Sequence, residues 1–206
     1  MIELNEFKRI RRSFGGHASW AYWAQPNANE RKSAGIGDLS VFDENQNSML
    51  LDTIHTNYVL MGLNISREVS HRSEAKKPTF FSNFHDSRPH SKDYRLRFAL
   101  TGTSVWGAYM TDFFVDLVEP KSNKVKVYAK NHPDEVYAQV ENRKAELKSV
   151  GAERATIIAL GNDCHSLLLK HFDGQKIIKL PHYSAYIPLK DYRNQVVKLF
   201  ENEATH

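Results

Sequence analysis

The chain has 206 residues, 41% of them hydrophobic and 25% charged, with a formal net charge of +4 and a pI of about 9.0. This balance fits one soluble domain with one substantial core. No apolar run approaches the 18 residues of a membrane span, and Met1-Ile2-Glu3-Leu4-Asn5-Glu6 has neither the basic start nor the apolar stretch of a secretory leader. The single cysteine, Cys164, excludes an intrachain disulfide and a four-cysteine iron–sulfur cluster. The default expectation is therefore a cytoplasmic protein with no cofactor and no membrane partner.

In chain order, residues 4–23 suggest one or two helices interrupted by Gly15-Gly16, with Phe7, Ile10, Phe14, Trp20 and Trp23 as the buried set. Residues 24–48 read as a long irregular connection with a short strand at Leu39–Phe42. Residues 1–50 thus form an N-terminal helical and loop extension packed on the rest of a single domain, 1–206. Tyr58–Leu63 reads as the first firm strand, followed by a long loop over 64–92, a length that is usually functional or disordered. A helix is expected near Asp93–Val105, with Tyr94, Phe98 and Val105 on one face. Gly107–Phe114 reads as a second buried strand. Pro133 opens a helix at its first position, Val136, Val140 and Leu147 mark its apolar face, and Gly151 stops it. Thr156–Leu160 is an uninterrupted apolar run suited to a parallel sheet. Gly161 leads into a helix capped by Asn162 or Asp163, with Leu167, Leu168 and Phe172 inward. A last strand, Ile177–Leu180, precedes a helix at Leu189–Glu201 that buries Val196, Val197 and Phe200. Strands alternating with helices favour a parallel sheet covered on both faces.

The positive charge is local. Residues 64–97 hold eight Lys/Arg (Arg67, Arg72, Lys76, Lys77, Arg88, Lys92, Arg95, Arg97) against four acids (Glu68, Glu74, Asp86, Asp93). Such a window suits a nucleic-acid surface or an ordinary solvated loop.

Two segments stand at strand ends, where an open parallel sheet places its ligands. Gly62-Leu63-Asn64-Ile65-Ser66 follows the first strand, and Pro181-His182-Tyr183-Ser184-Ala185-Tyr186 follows the last. Together they resemble the two signature motifs of the uracil-DNA glycosylase superfamily, most nearly in the style of its mismatch-specific branch. There the first motif reads Gly-hydrophobic-Asn-Pro-Gly and the second His-Pro-Ser. Here Gly62, Asn64, His182 and Ser184 match, while Ile65, Ser66 and Tyr183 depart. The resemblance covers about residues 55–200. It implies a three-layer α/β/α sandwich on a four-stranded parallel sheet, and a protein that binds DNA, single-stranded or mismatched, by base flipping in DNA repair. It also implies roles: Asn64 orienting water, His182 donating to the base oxygen, Ser184 holding a phosphate, and Tyr186 standing where the family carries a wedge. Phe81, or Phe80 next to it, falls near the family's base-stacking aromatic. Gly62 and Leu63 complete the substrate-binding set.

The chemistry these residues must perform is specific. Breaking an N-glycosidic bond builds positive charge on the sugar and negative charge on the base. A site needs a positioned water and donors at the base oxygen, and the base must leave the stack. Asn64 can position water but is no general base; equally, an Asn can bond its own turn. Asp112 falls where the family carries an Asn that reads uracil. When ionised it only accepts hydrogen bonds. Either it is protonated, or the ligand is not uracil, or it caps a turn. Cys164 and His165 are adjacent on a helix and do not face each other, so a buried, inert Cys164 is expected. His85, Asp86 and His90 match no strong metal-ligand spacing, and no metal is expected. The leading expectation is a glycosylase-like nucleic-acid-binding protein. Its rivals are a non-catalytic binding module of the same fold and an unrelated small-molecule hydrolase on an α/β scaffold.

Overall fold

A computed structural model describes residues 2–65, 80–119 and 121–201. The elements are α1 (Leu4–Phe14), β1 (Ser19–Trp20), a 3₁₀ turn at Leu39–Phe42, α2 (Leu50–Thr53), β2 (His55–Asn64), α3 (Asp93–Leu100), β3 (Ala108–Phe114), α4 (Ser122–Asn131), α5 (Pro133–Ser149), β4 (Thr156–Leu160), α6 (Asn162–His171), β5 (Ile177–Leu180) and α7 (Leu189–Glu201).

The sheet is mixed and five-stranded, in the order β1-β3-β2-β4-β5. β3, β2, β4 and β5 are parallel, and β1 runs antiparallel to β3, pairing Ser19 with Met110 and Trp20 with Tyr109. This corrects the expected four-stranded parallel sheet. The chain reverses after α1, so Ser19 and Trp20 pair as a strand where the sequence pattern suggested helix. Leu39–Phe42 is likewise a 3₁₀ turn rather than a strand, because Asp38 accepts from the Ser40 backbone and hydroxyl and tightens it.

Both faces of the sheet are apolar because its inner strands alternate between two clusters. Val59, Met61, Tyr109, Phe113, Ile157 and Ala159 join Phe7 of α1, Val125 of α4, Val140 of α5 and Leu168 of α6. Leu60, Met110, Ile158 and Leu160 join Leu96 and Leu100 of α3 and Val196 of α7 on the other side. Burying one such side chain is worth roughly 1.5–3 kcal/mol. Helix α3 ends at Leu100, earlier than the expected Val105, and its buried face is Leu96, Arg97, Ala99 and Leu100 rather than Tyr94 and Phe98. Among the described residues, no helix is long and apolar enough to cross a membrane.

The strand order places the site. β2 comes first among the parallel strands, yet β3 lies on one side of it and β4 on the other. The helix after β2 packs in one cluster and the helix after β4 in the other. Chains that part this way leave a crevice at the carboxyl ends of the two strands.

Candidate functional site

That crevice exists. A cleft of about 920 Å³ opens at the carboxyl ends of β2, β4 and β5, lined among others by Asn64, Phe84, Asp93, Gly161, His182 and Ser184. The volume lies in the range of ligand sites. Leu63, Asn64, His182 and Ser184, singled out from two distant segments, all stand on its wall.

Asn64 is half-buried, and its NH₂ donates to the carbonyls of Glu119 at 2.8 Å and Leu117 at 3.2 Å. It ties the end of β2 to the chain leaving β3 and keeps Oδ1 as its remaining polar atom. Ser66, the last residue of its motif, lies outside the described residues.

His182 follows β5 and touches the glycine at the end of β4. Gly161 has φ +94, and a Cβ there would meet the His182 Cβ at 3.3 Å, so a side chain at 161 would be strained and crowded. The backbone N–H of Ser184 donates to His182 Nδ1 at 3.2 Å, and the Ser184 hydroxyl lies 2.7 Å from the same atom. An amide N–H can only donate, so Nδ1 is the acceptor and the ring proton sits on Nε2. Burial lowers the His182 pKa to about 4, which keeps the ring neutral. Tyr183 stacks on it, ring centroids 4.3 Å apart.

Four expected site residues lie elsewhere. Phe81 is fully buried against Phe7 and Phe42, with centroids at 5.6 and 5.1 Å, so it is core and stacks on no ligand. Phe84, three residues on, supplies the cleft's aromatic wall. Gly62 and Asp112 lie beneath the cleft rather than on its wall. They are paired across β2 and β3, and a Cβ at Gly62 would fall 2.1 Å from Asp112 Oδ1. Gly62 is therefore a packing requirement of Asp112. Asp112 itself is 3% exposed and covered by Asn83, whose NH₂ donates to it at 2.8 Å. Burial, opposed by that bond and reinforced by Asp93, raises the Asp112 pKa to about 7. The expected wedge, Tyr186, is fully exposed on the loop after β5. Cys164 is buried, its thiol pushed up by burial.

The segment carrying Phe84 is strained and held in place. Phe81 and Phe84 both have φ +61, unusual for bulky residues. The N-terminal extension fixes them: Phe81 N–H donates to Gly15 O, the Ser19 hydroxyl to Phe81 O, Trp23 Nε1 to Phe84 O, and Asn83 Nδ2 to His17 O. Strain of this kind persists where the surroundings over-determine it, typically at ligand sites.

The basic window contributes less than its charge count suggested. Arg97 is buried and binds the carbonyls of Ala24, Ala34 and Lys32, and Arg95 binds Ile187 O. Arg88 pairs with Asp86. Arg67, Arg72, Lys76 and Lys77 lie outside the described residues. A second basic surface was not foreseen: α4 and its preceding residue carry Lys121, Lys124, Lys126 and Lys130 and no acid. Ser122 and Lys126 reach the cleft. The Asp163 carboxylate of α6 pairs with Lys126 at 2.7 Å. Among the described residues no group of His, Cys, Asp and Glu is arranged to hold a metal ion.

Comparison with known proteins finds no matching family model, no similar curated protein and no similar solved structure.

Proposed function

We propose that the cleft receives a nucleobase turned out of a nucleic acid, on a three-layer uracil-DNA glycosylase-like scaffold, and that the protein is a DNA glycosylase acting in base repair. The observation that carries this is the convergence of Asn64 and His182, 118 residues apart, on one cleft. Neutral His182 offers its Nε2 proton to a base oxygen and so stabilises the leaving anion. Asn64 Oδ1 orients the attacking water from the β2 side. Phe84 stacks on the base, worth about 1–3 kcal/mol. Ser184 and the α4 lysines hold phosphates, and exposed Tyr186 supports the opened stack. Their electrostatic share makes binding fall steeply with salt.

A second reading keeps the binding and drops the turnover. It is favoured by the Asn64 amide, whose two N–H bonds are spent on Leu117 and Glu119 and which is no general base.

An excision assay on oligonucleotides with a panel of modified bases, run beside salt-dependent binding, tests both. Excision that His182→Ala cuts by about 10²–10³ supports the glycosylase. Salt-dependent binding without excision selects the binding module. No binding at any salt ends the nucleic-acid reading.

A further inference from the structure

Among the described residues four carboxylates line the cleft, and one of them differs from the rest. Asp86 pairs with Arg88 at 2.7 Å, Asp163 with Lys126 at 2.7 Å, and Glu119 with Lys124 at 3.4 Å. All three have a cation beside them. Asp93, at the start of α3, is 6% exposed and has no ion pair among the described residues. Its carboxylate instead accepts from the Asp86 backbone N–H at 2.8 Å, with the hydroxyls of Tyr183 and Ser91 beside it.

An ionised carboxylate has about four acceptor positions. The Asp86 N–H takes one, and the two hydroxyls have one proton each to give, so at least one position stays open. The group lines the cleft together with Phe84 and Tyr183, so the open position is available to a ligand held on the aromatic wall. A buried acceptor without its donor is costly, and a ligand carbonyl there would face it with like partial charge. A ligand N–H would complete it.

We propose that Asp93 selects the base: the cleft prefers a heterocycle carrying an exocyclic amine, as in cytosine, over one carrying a carbonyl at that place, as in uracil. This rests on the nucleobase reading above and gives it a substrate class. Asp93 is then a specificity-determining residue that touches the ligand, although its position inside the sequence reads only as a helix start. The neighbouring Asp112 supports the same preference. It lies behind Asn83 and adds negative potential to this wall when ionised.

Cytosine and uracil are the direct probes, because they share ring size and differ in the amine and the ring N–H. Each free base is titrated into the protein at pH 8 with ligand-observed NMR. The expected result is about tenfold or greater preference for cytosine, since a site built around a donor rejects the analogue that lacks it. Asp93→Asn keeps an acceptor for the Asp86 N–H and adds a donor; it should bring the two affinities together or reverse them. Equal affinities in the parent protein, or a preference unchanged in Asp93→Asn, overturn the proposal and leave the nucleobase reading standing. Binding of neither base overturns that reading and the proposal with it.

Discussion

Two buried acidic regions flank the same strand, and they are finished differently. On the α5 side of β3, Glu146 is 2% exposed but surrounded by donors: Arg143 at 3.1 Å, His17 at 3.0 Å and the Tyr109 hydroxyl at 2.8 Å. Burial alone would raise its pKa, but the His17 bond and the Arg143 charge outweigh burial and hold it below the ordinary range. On the α3 side, Asp112 and Asp93 have no ion pair among the described residues, and burial raises them to about 7 and about 6. In the first region the carboxylate is matched by the protein's own donors and serves the fold. The second carries an unpaid electrostatic cost beside a cleft, the arrangement expected where a ligand finishes the site.

Breaking the paired region should have the largest effect. Arg143→Met strands Glu146 as a buried charge with only His17 and Tyr109 left, and should cost about 3–5 kcal/mol in urea unfolding. Asp93→Asn, in the open region, should cost nothing comparable.

The next effect has the opposite sign. The folded-state pKa of Asp112 lies above its ordinary 3.8, so the folded protein holds more protons between pH 4 and 7. The stability this gives is full below pH 4 and is lost as pH rises through 7. Asp112→Asn removes that loss and keeps an acceptor for Asn83. It should stabilise the protein by about 1–3 kcal/mol at pH 8, with the gain shrinking toward pH 4. Thermal melts across this range check it; equal gain at both ends would mean that Asp112 is not titrating.

A destabilisation of about 1–3 kcal/mol is expected for Gly62→Ala, from overpacking against Asp112. Combined with Asp112→Ala, which removes the clashing oxygen, the Gly62→Ala cost should largely disappear, and a double-mutant cycle reads that coupling. The smallest effect belongs to the cleft rim. Lys126→Ala breaks an exposed ion pair with Asp163 and should change stability by less than about 1 kcal/mol. The same change should reduce the salt slope of oligonucleotide binding by about 1.

The sheet was largely legible because β3 and β4 are buried along almost their whole length: β4 reads as an apolar run, and β3 as one broken only by Thr111 and Asp112. The positions of Asn64 and His182 were legible for the same reason: each stands where such a run stops. Two-residue β1 left no pattern to read. Helix α4 was missed because Ser122–Asn131 has one buried residue, Val125, and its lysines mask any apolar stripe. The placement of Phe81 in the core and Phe84 on the cleft depends on two positive φ angles and on bonds from Gly15, Ser19 and Trp23. No local propensity predicts those bonds. Asp93 stayed hidden because the groups it meets include Tyr183, 90 residues away in the chain.

Fluorescence from 2-aminopurine placed at a mismatch in an oligonucleotide tests the central claim most directly, because its emission changes when the base leaves the stack. Protein should produce an emission change that saturates, and Phe84→Ala should weaken it about tenfold or more while anisotropy still reports salt-dependent binding. Binding with no emission change, or the same change in Phe84→Ala, would contradict a cleft that receives the flipped base.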